Sequence, residues 1–413
     1  MNTSESPPVH PPALGKAPAV AHVAGCYVHG SENWIHTQVK HLRAHAPFVL
    51  TGQTKNHDQL DWTPPCYKTF GRTLPVRALD RVGKGVLGYR PSRRWYLHRH
   101  DAELVHAHFG PKGYETLLLA EAAGLPLVTT FYGHDLSRLP QKEPDWREKY
   151  QVLFKRGALF LVEGTHMKKR LVDLGCPREK VHVQHLGVEL DRLSCQPRSR
   201  TSEEPLKILT AGRLTEKKGF PYAVRAFARF REQGGKGHLT IIGGLRDPER
   251  DQAARDTLNT IARRHGVEDE VRLRGFLPYE ELLEAYYKHH VFLSPSVQAE
   301  NGDNEGGAPV TLIEASATGM PIISTRHCDI PEVVQHQKTG LLAEEEDVEK
   351  LAEHLITLSR HPERLVEMGE EARSHIEREY NASIQGERLD EVYGEVRRGN
   401  ESVQSIRPIS YDE

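Results

Sequence analysis

The chain has 413 residues, 38% of them hydrophobic and 27% charged, with a net charge of −2. That length suits two or three globular domains, and the near-neutral balance, with no aromatic or helical recognition motif, argues against nucleic-acid binding. No apolar run approaches the roughly 18 residues a spanning helix needs, and no basic start followed by an apolar block marks a secretory signal. Five scattered cysteines, Cys26, Cys66, Cys176, Cys195 and Cys328, lack paired spacing. They fit reduced thiols in a cytoplasm better than disulfides or a zinc site.

Residues 1–18 are rich in Pro, Ser and Ala and are expected to form a disordered tail. From there, short β-type runs alternate with amphipathic helical stretches. AHVAGCYV, APFVLT, AELVHAHF, LPLVTTFY, ALFLVEGT and KVHVQHLG read as strands in the first half. LKILTAGR, HLTIIGG, EVRLRGF, VFLSPS and MPIISTR do so in the second. The βαβα order predicts an α/β fold of two doubly wound parallel sheets. A polar stretch at 189–205, with Pro, Ser and Arg, reads as a linker. The expected domains are therefore 19–190 and 205–380. Charge divides the same way: residues 1–188 carry 25 basic and 16 acidic side chains (+9), the remainder 30 and 41 (−11).

Ligands of open α/β sheets bind beyond the carboxyl ends of the strands, so the loops there are where chemistry is expected. After the first strand comes Gly30, with Ser31 or Asn33 placed to cap a helix, short of a full dinucleotide fingerprint. From Arg72 to Arg99 eight basic residues face one acidic residue, Asp80, with Val86, Leu87, Tyr89, Trp95, Tyr96 and Leu97 interleaved. This segment suits an anionic membrane surface or a phosphorylated lipid-linked glycan, and equally a solvated basic face. His106 and His108 share one face of a strand, and a structural or substrate-contact role is preferred over a metal site because no carboxylate or Cys motif stands nearby. His134 follows Gly133 after another strand.

In the second half, Arg213 follows a strand and Lys218 lies five residues on. Two cations there can neutralise a leaving diphosphate, although a solvated basic loop has the same composition. The segment VFLSPSVQAENGDNEGGAPVTLIEASATGMPIIST runs from a strand through an acidic, Gly-rich loop into a helix starting near Pro309. The helix start offers free N–H groups to a diphosphate. Gly306 and Gly307 let a ligand approach the backbone. Glu314 can accept hydroxyl hydrogen bonds from a ribose, and Glu305 can meet sugar hydroxyls.

Taken in order, AGRLTEKKGF, RGFLPYEEL, FLSPS, EGGAPVTLIEASATGMPII and EVVQHQKTGLL resemble the retaining glycosyltransferases of family 4, over roughly Ala21 to Arg397. The resemblance implies the GT-B fold, two Rossmann-like domains facing a cleft, with a C-terminal helix at about 384–400 packing back on the first domain. It implies a sugar moved from a UDP- or GDP-sugar to a glycan or lipid-linked acceptor, with retention, without a metal or cofactor. The chain has no Asp-x-Asp motif. Arg213 and Lys218 would grip the diphosphate, Glu314 the ribose, Glu305 the donor sugar, and His134 would sit beside that sugar. Backbone from Gly307 through Ala308, Pro309 and Val310 to Thr311 would meet phosphate, Gly275 and Leu277 would lie near the base, and Gly30 under the phosphate. The family's Glu pair has seven intervening residues, whereas Glu305 and Glu314 have eight. An extra glycine can absorb that offset, and Glu300 is the other candidate. The pathway implied is cell-surface polysaccharide assembly, in the cytoplasm or at the inner membrane face. An epimerase or hydrolase of the same fold, or a non-catalytic nucleotide-sugar-binding module, is the competing reading.

Overall fold

The computed structural model of the protein describes residues 10–28, 33–55, 60–68 and 73–404. Gly30, Ser31 and Arg72 lie outside the described residues. The chain divides into two compact units, 1–187 with 382–413, and 188–381.

The first unit holds β1 (Ala19–Tyr27), β2 (Ala46–Thr54), β3 (Cys66–Lys68), β4 (Ala102–His108), β5 (Leu127–Thr130), β6 (Leu159–Val162) and β7 (Val181–Val183). They form one parallel sheet in the order β3-β2-β1-β4-β5-β6-β7. Its strands read as near-continuous apolar runs because helices cover both faces. Val20, Phe48, Val105, Val128 and Leu161 are fully buried. The helix Ala382–Gln404 belongs to this unit and packs Leu389, Val392 and Tyr393 against Val20, Leu104 and Val128. Its Asp390 accepts N–H bonds from Arg43 at 2.5 Å and Ala44 at 2.8 Å and meets His45 Nδ1 at 2.7 Å. Residues 10–18, assigned from composition to a disordered tail, take an ordered course. The His10 ring stacks on Trp62 at 5.7 Å, and Leu14 packs on the core.

The second unit holds β8 (Leu206–Ala211), β9 (Gly237–Ile242), β10 (Val271–Gly275), β11 (Val291–Ser294), β12 (Ile322–Thr325) and β13 (Gly340–Ala343), all parallel, in the order β10-β9-β8-β11-β12-β13. The edge strands β3 and β13, three and four residues long, are not among the strands read from the sequence. The stretch 189–205 is no loose linker. Leu193 and Arg198 are buried, and the Arg198 guanidinium donates to Tyr286 O at 3.1 Å and Thr318 Oγ1 at 2.9 Å. Arg200 donates to Ser359 O at 2.8 Å. Two of the three arginines in this stretch, Arg198 and Arg200, thus tie it to its own unit.

Both sheets reverse their winding between adjacent strands, β1/β4 in one and β8/β11 in the other. Such a reversal opens a crevice beyond the carboxyl ends of the two strands.

Candidate functional site

In the second unit, the loops after β8 and β11 meet at this crevice. Gly219 takes φ +66°, and a Cβ there would lie 1.8 Å from the carbonyl oxygen of Pro295. Only glycine lets the two loops come so close. The Val297 N–H donates to Lys217 O at 2.9 Å, and Lys217 Nζ donates to Asn304 O at 2.7 Å while meeting Asp303 Oδ1 at 3.2 Å.

This stitching places Lys218 Nζ 2.9 Å from Glu305 Oε1 and 3.0 Å from Oε2. Ser296 Oγ donates to Glu305 Oε1 at 2.9 Å. The Glu305 side chain is 6% exposed and that of Lys218 14%. Burial pushes the Glu305 carboxyl up, but the charges of Lys218 and Lys217 and the bond from Lys218 outweigh it and hold the group below the usual carboxylate value. Burial lowers the Lys218 ammonium, with Glu305 opposing. Arg213 is exposed on the same loop, close enough to act on Lys218 by its charge. Glu300 is exposed, and its backbone N–H goes to Glu216 Oε1 at 2.8 Å. Of the two candidate acids, only Glu305 therefore meets the lysine. Gly306 sits at φ +74°, so the added residue forms a left-handed turn directly after Glu305.

Beyond that turn, Pro309 is the N-cap residue of the helix Val310–Ala317. Gly307 is buried, and Ala308, Val310 and Thr311 are half-buried around the open first turn. Glu314 follows on this helix and accepts from Tyr279 Oη at 2.9 Å and Tyr286 Oη at 3.0 Å. Burial raises its carboxyl to about 7, against those two bonds and the charge of Arg192. The tyrosines are a feature the motif analysis passed over. They stand seven residues apart in YEELLEAYY, two turns of one helix face. Gly275 ends β10 at φ +79°, and its carbonyl accepts the Gly243 N–H at 2.8 Å. Leu277 packs half-buried against the core of this unit.

His134 belongs to the first unit. It is exposed in the short helix Gly133–Leu136 at the carboxyl end of β5. Buried Asp135 fixes that turn by accepting the N–H groups of Tyr132 at 2.8 Å and Gly110 at 2.6 Å. Burial raises the Asp135 carboxyl to about 7, against those bonds. His106 and His108 are buried with His22, and one ring nitrogen from each lies within 4.8 Å of the others. His106 bonds Tyr393 Oη at 2.6 Å and Thr130 Oγ1 at 2.7 Å. His108 bonds Tyr132 Oη at 2.9 Å and His22 Nδ1 at 3.1 Å. Burial holds all three histidines well below their usual value, His108 at about 3, which favours the neutral imidazole.

The basic segment forms the helices Leu74–Leu87 and Pro91–Arg99. In the first, Asp80 is buried and binds the Ser92 N–H and hydroxyl at 3.0 and 2.6 Å. Leu74, Leu79, Val82, Val86 and Leu87 are exposed, Leu74 and Val86 at 78% each, and Trp95 of the second helix is exposed too. Arg77, Arg81 and Lys84 are exposed on the same helix. Lys84, Arg90, Arg93 and Lys112 line a pocket of this unit with Gly25 and Gly52.

Two doubly wound parallel sheets, one with cations, carboxylates and a helix start gathered at its winding reversal, form the architecture of GT-B glycosyltransferases. Solved structures share it. That of HepE from Anabaena in complex with UDP matches with a TM-score of 0.74 at 14% identity, over 92% of this chain and all of that one. The glycosyl transferases group 1 family model matches residues 194–375 and the glycosyltransferase family 4 model residues 28–192. The chain belongs to this glycosyltransferase family. Among its relatives, the colanic acid biosynthesis glycosyltransferase WcaL of Escherichia coli K12 is 36% identical over 68% of each chain. The amylovoran biosynthesis glycosyltransferase AmsK of Erwinia amylovora is 36% identical over 70% of each.

Proposed function

We propose that this glycosyltransferase moves a sugar, with retention of anomeric configuration, from a UDP- or GDP-sugar to a glycan or lipid-linked acceptor in polysaccharide assembly. The observation that carries the reading is the Lys218–Glu305 pair beside Arg213 at the β8/β11 reversal. The names of WcaL and AmsK support the pathway, and the UDP held by HepE supports a nucleotide donor.

In this reading Arg213 and Lys218 meet the donor diphosphate, joined by backbone N–H groups from Gly307 to Thr311 at the positive helix end. Glu314 takes the ribose hydroxyls in place of Tyr279 and Tyr286. Glu305 meets the sugar, and its carboxylate keeps Lys218 charged. As the glycosidic bond breaks, negative charge grows on the diphosphate. Fixed cations and dipoles aimed at that charge stabilise the transition state more than the ground state. The leaving phosphate oxygen then accepts the proton of the incoming hydroxyl, which approaches on the same face. His134 is assigned to the sugar side, and Gly275 and Leu277 to the base.

A thermal-shift screen of UDP-, GDP- and ADP-sugars, followed by transfer to a candidate acceptor and NMR of the product anomer, tests this. A stabilising donor and a product of retained configuration are expected. Free sugar released without need of an acceptor would support the hydrolase alternative, and an inverted product would refute retention.

The exposed apolar residues and basic side chains of Leu74–Leu87 favour a peripheral site on an anionic membrane surface. No helix among the described residues is long and apolar enough to cross a membrane. Leu79→Asp with Val86→Asp is expected to abolish sedimentation with phosphatidylglycerol vesicles, and unchanged sedimentation refutes the assignment.

A further inference from the structure

Glu305 lies in a glycine-rich loop. Gly302 and Gly306 both have positive φ, and Gly307 follows. A carboxylate in such a setting is placed by whatever grips it from outside. Its side chain is gripped by Lys218 and Ser296. Its own N–H points at a different group, Nε2 of His327, at 3.2 Å.

His327 follows β12 and is 2% exposed in its side chain. Its Nδ1 lies 2.7 Å from Glu345 Oε1. A carboxylate oxygen accepts, so Nδ1 carries the proton and Nε2 presents a lone pair. That tautomer is the one able to receive the Glu305 N–H. Glu345 is itself oriented, since its Oε2 accepts the Gln298 N–H at 2.7 Å. The chain turns sharply after His327, where Cys328 takes φ +49°. The Cys328 thiol, which burial raises to about 12, lies 3.2 Å from the same Nε2.

We infer that His327, held in one tautomer by Glu345, is a positioning residue for Glu305, setting the backbone from which that carboxylate reaches the transferred sugar and Lys218. This rests on the assignment of Glu305 to the donor sugar and extends it to residues in a separate loop. Its action is indirect, through placement alone. Displacing a reacting group by about 1 Å can cost on the order of 100-fold in rate, whereas a residue that only stabilises the fold leaves the turnover of folded enzyme unchanged.

A double-mutant cycle on purified full-length protein reads this directly. His327→Phe is expected to lower kcat at least about tenfold, with donor KM within about threefold. In a Glu305→Gln background the same substitution is expected to change kcat less than about twofold, because the group it places is already disabled. Glu345→Ala, at a half-exposed side chain with less risk to folding, should give the same pattern at about three- to tenfold. His327→Gln, which keeps an acceptor near the Nε2 position, should recover part of the loss. If Glu305→Gln is slow but the losses multiply unchanged, or if both His327→Phe and Glu345→Ala turn over like wild type, the inference falls while Glu305 keeps its assignment. If Glu305→Gln itself retains wild-type kcat, that assignment falls and the inference with it.

Discussion

Lys218→Ala separates the catalytic from the structural part of the ion pair. Lys218 and Glu305 meet at 2.9 Å with side chains 14% and 6% exposed. Removing one partner of a buried pair leaves an uncompensated charge, at a cost of roughly 3–5 kcal/mol. The lower end, about 3 kcal/mol, applies because Lys218 reaches solvent and water can replace it beside Glu305. Turnover should fall at least about tenfold and up to roughly a thousandfold, the range for losing one charge stabiliser. Adding Glu305→Gln removes the stranded charge. The double variant should therefore recover most of the stability and none of the turnover. Urea unfolding with an unchanged slope gives the first quantity, and initial rates of donor consumption with acceptor give the second. The pair also has an acid signature. The folded-state value of Glu305 lies below its usual 4.5, so its contribution to stability is present above that value and lost as pH falls through the lowered one. Lys218→Ala should flatten this acid dependence. Wild-type turnover in Lys218→Ala, or turnover that returns with stability in the double variant, would refute the role assigned to the lysine.

Gly219→Ala should lower unfolding stability by at least about 3 kcal/mol, since it combines a left-handed φ with a collision against the Pro295 carbonyl. Gly124→Ala is the control: φ is +70°, but a Cβ there meets nothing within 4 Å, so about 1 kcal/mol is expected. Equal losses in the two variants would show that the loops are held apart in solution. Glu314→Gln tests the raised carboxyl. Glu314 binds its proton more tightly in the folded state, so its contribution is full below about 4.5 and lost as pH rises through about 7. Wild type should lose stability relative to the variant across that window, and parallel pH profiles would contradict the burial of this carboxyl. Glu314→Gln should also weaken donor binding, measured by calorimetry.

The sequence carried the alternation of strands and helices because buried parallel strands are continuous apolar runs bounded by glycine and polar loops. It therefore exposed both sheets except the edge strands β3 and β13. It also pointed to the loops that gather at the β8/β11 reversal. Arg213, Lys218, Glu305 and Glu314 stand at strand ends or helix starts, positions that local pattern defines. The neighbours of those residues stayed hidden. Ser296 meets Glu305 where the loop after β11 folds back on itself, His327 meets it because β11 and β12 lie side by side, and Glu345 reaches His327 from beyond β13. Composition misread 189–205, since arginines look solvated until the carbonyls and hydroxyl that bury Arg198 and Arg200 are present. Sequence likewise left the choice between Glu300 and Glu305 to spacing. The tertiary structure decided which of them meets Lys218, because that contact depends on the close approach of two loops at Gly219, and a long-range approach leaves no periodic trace in the chain.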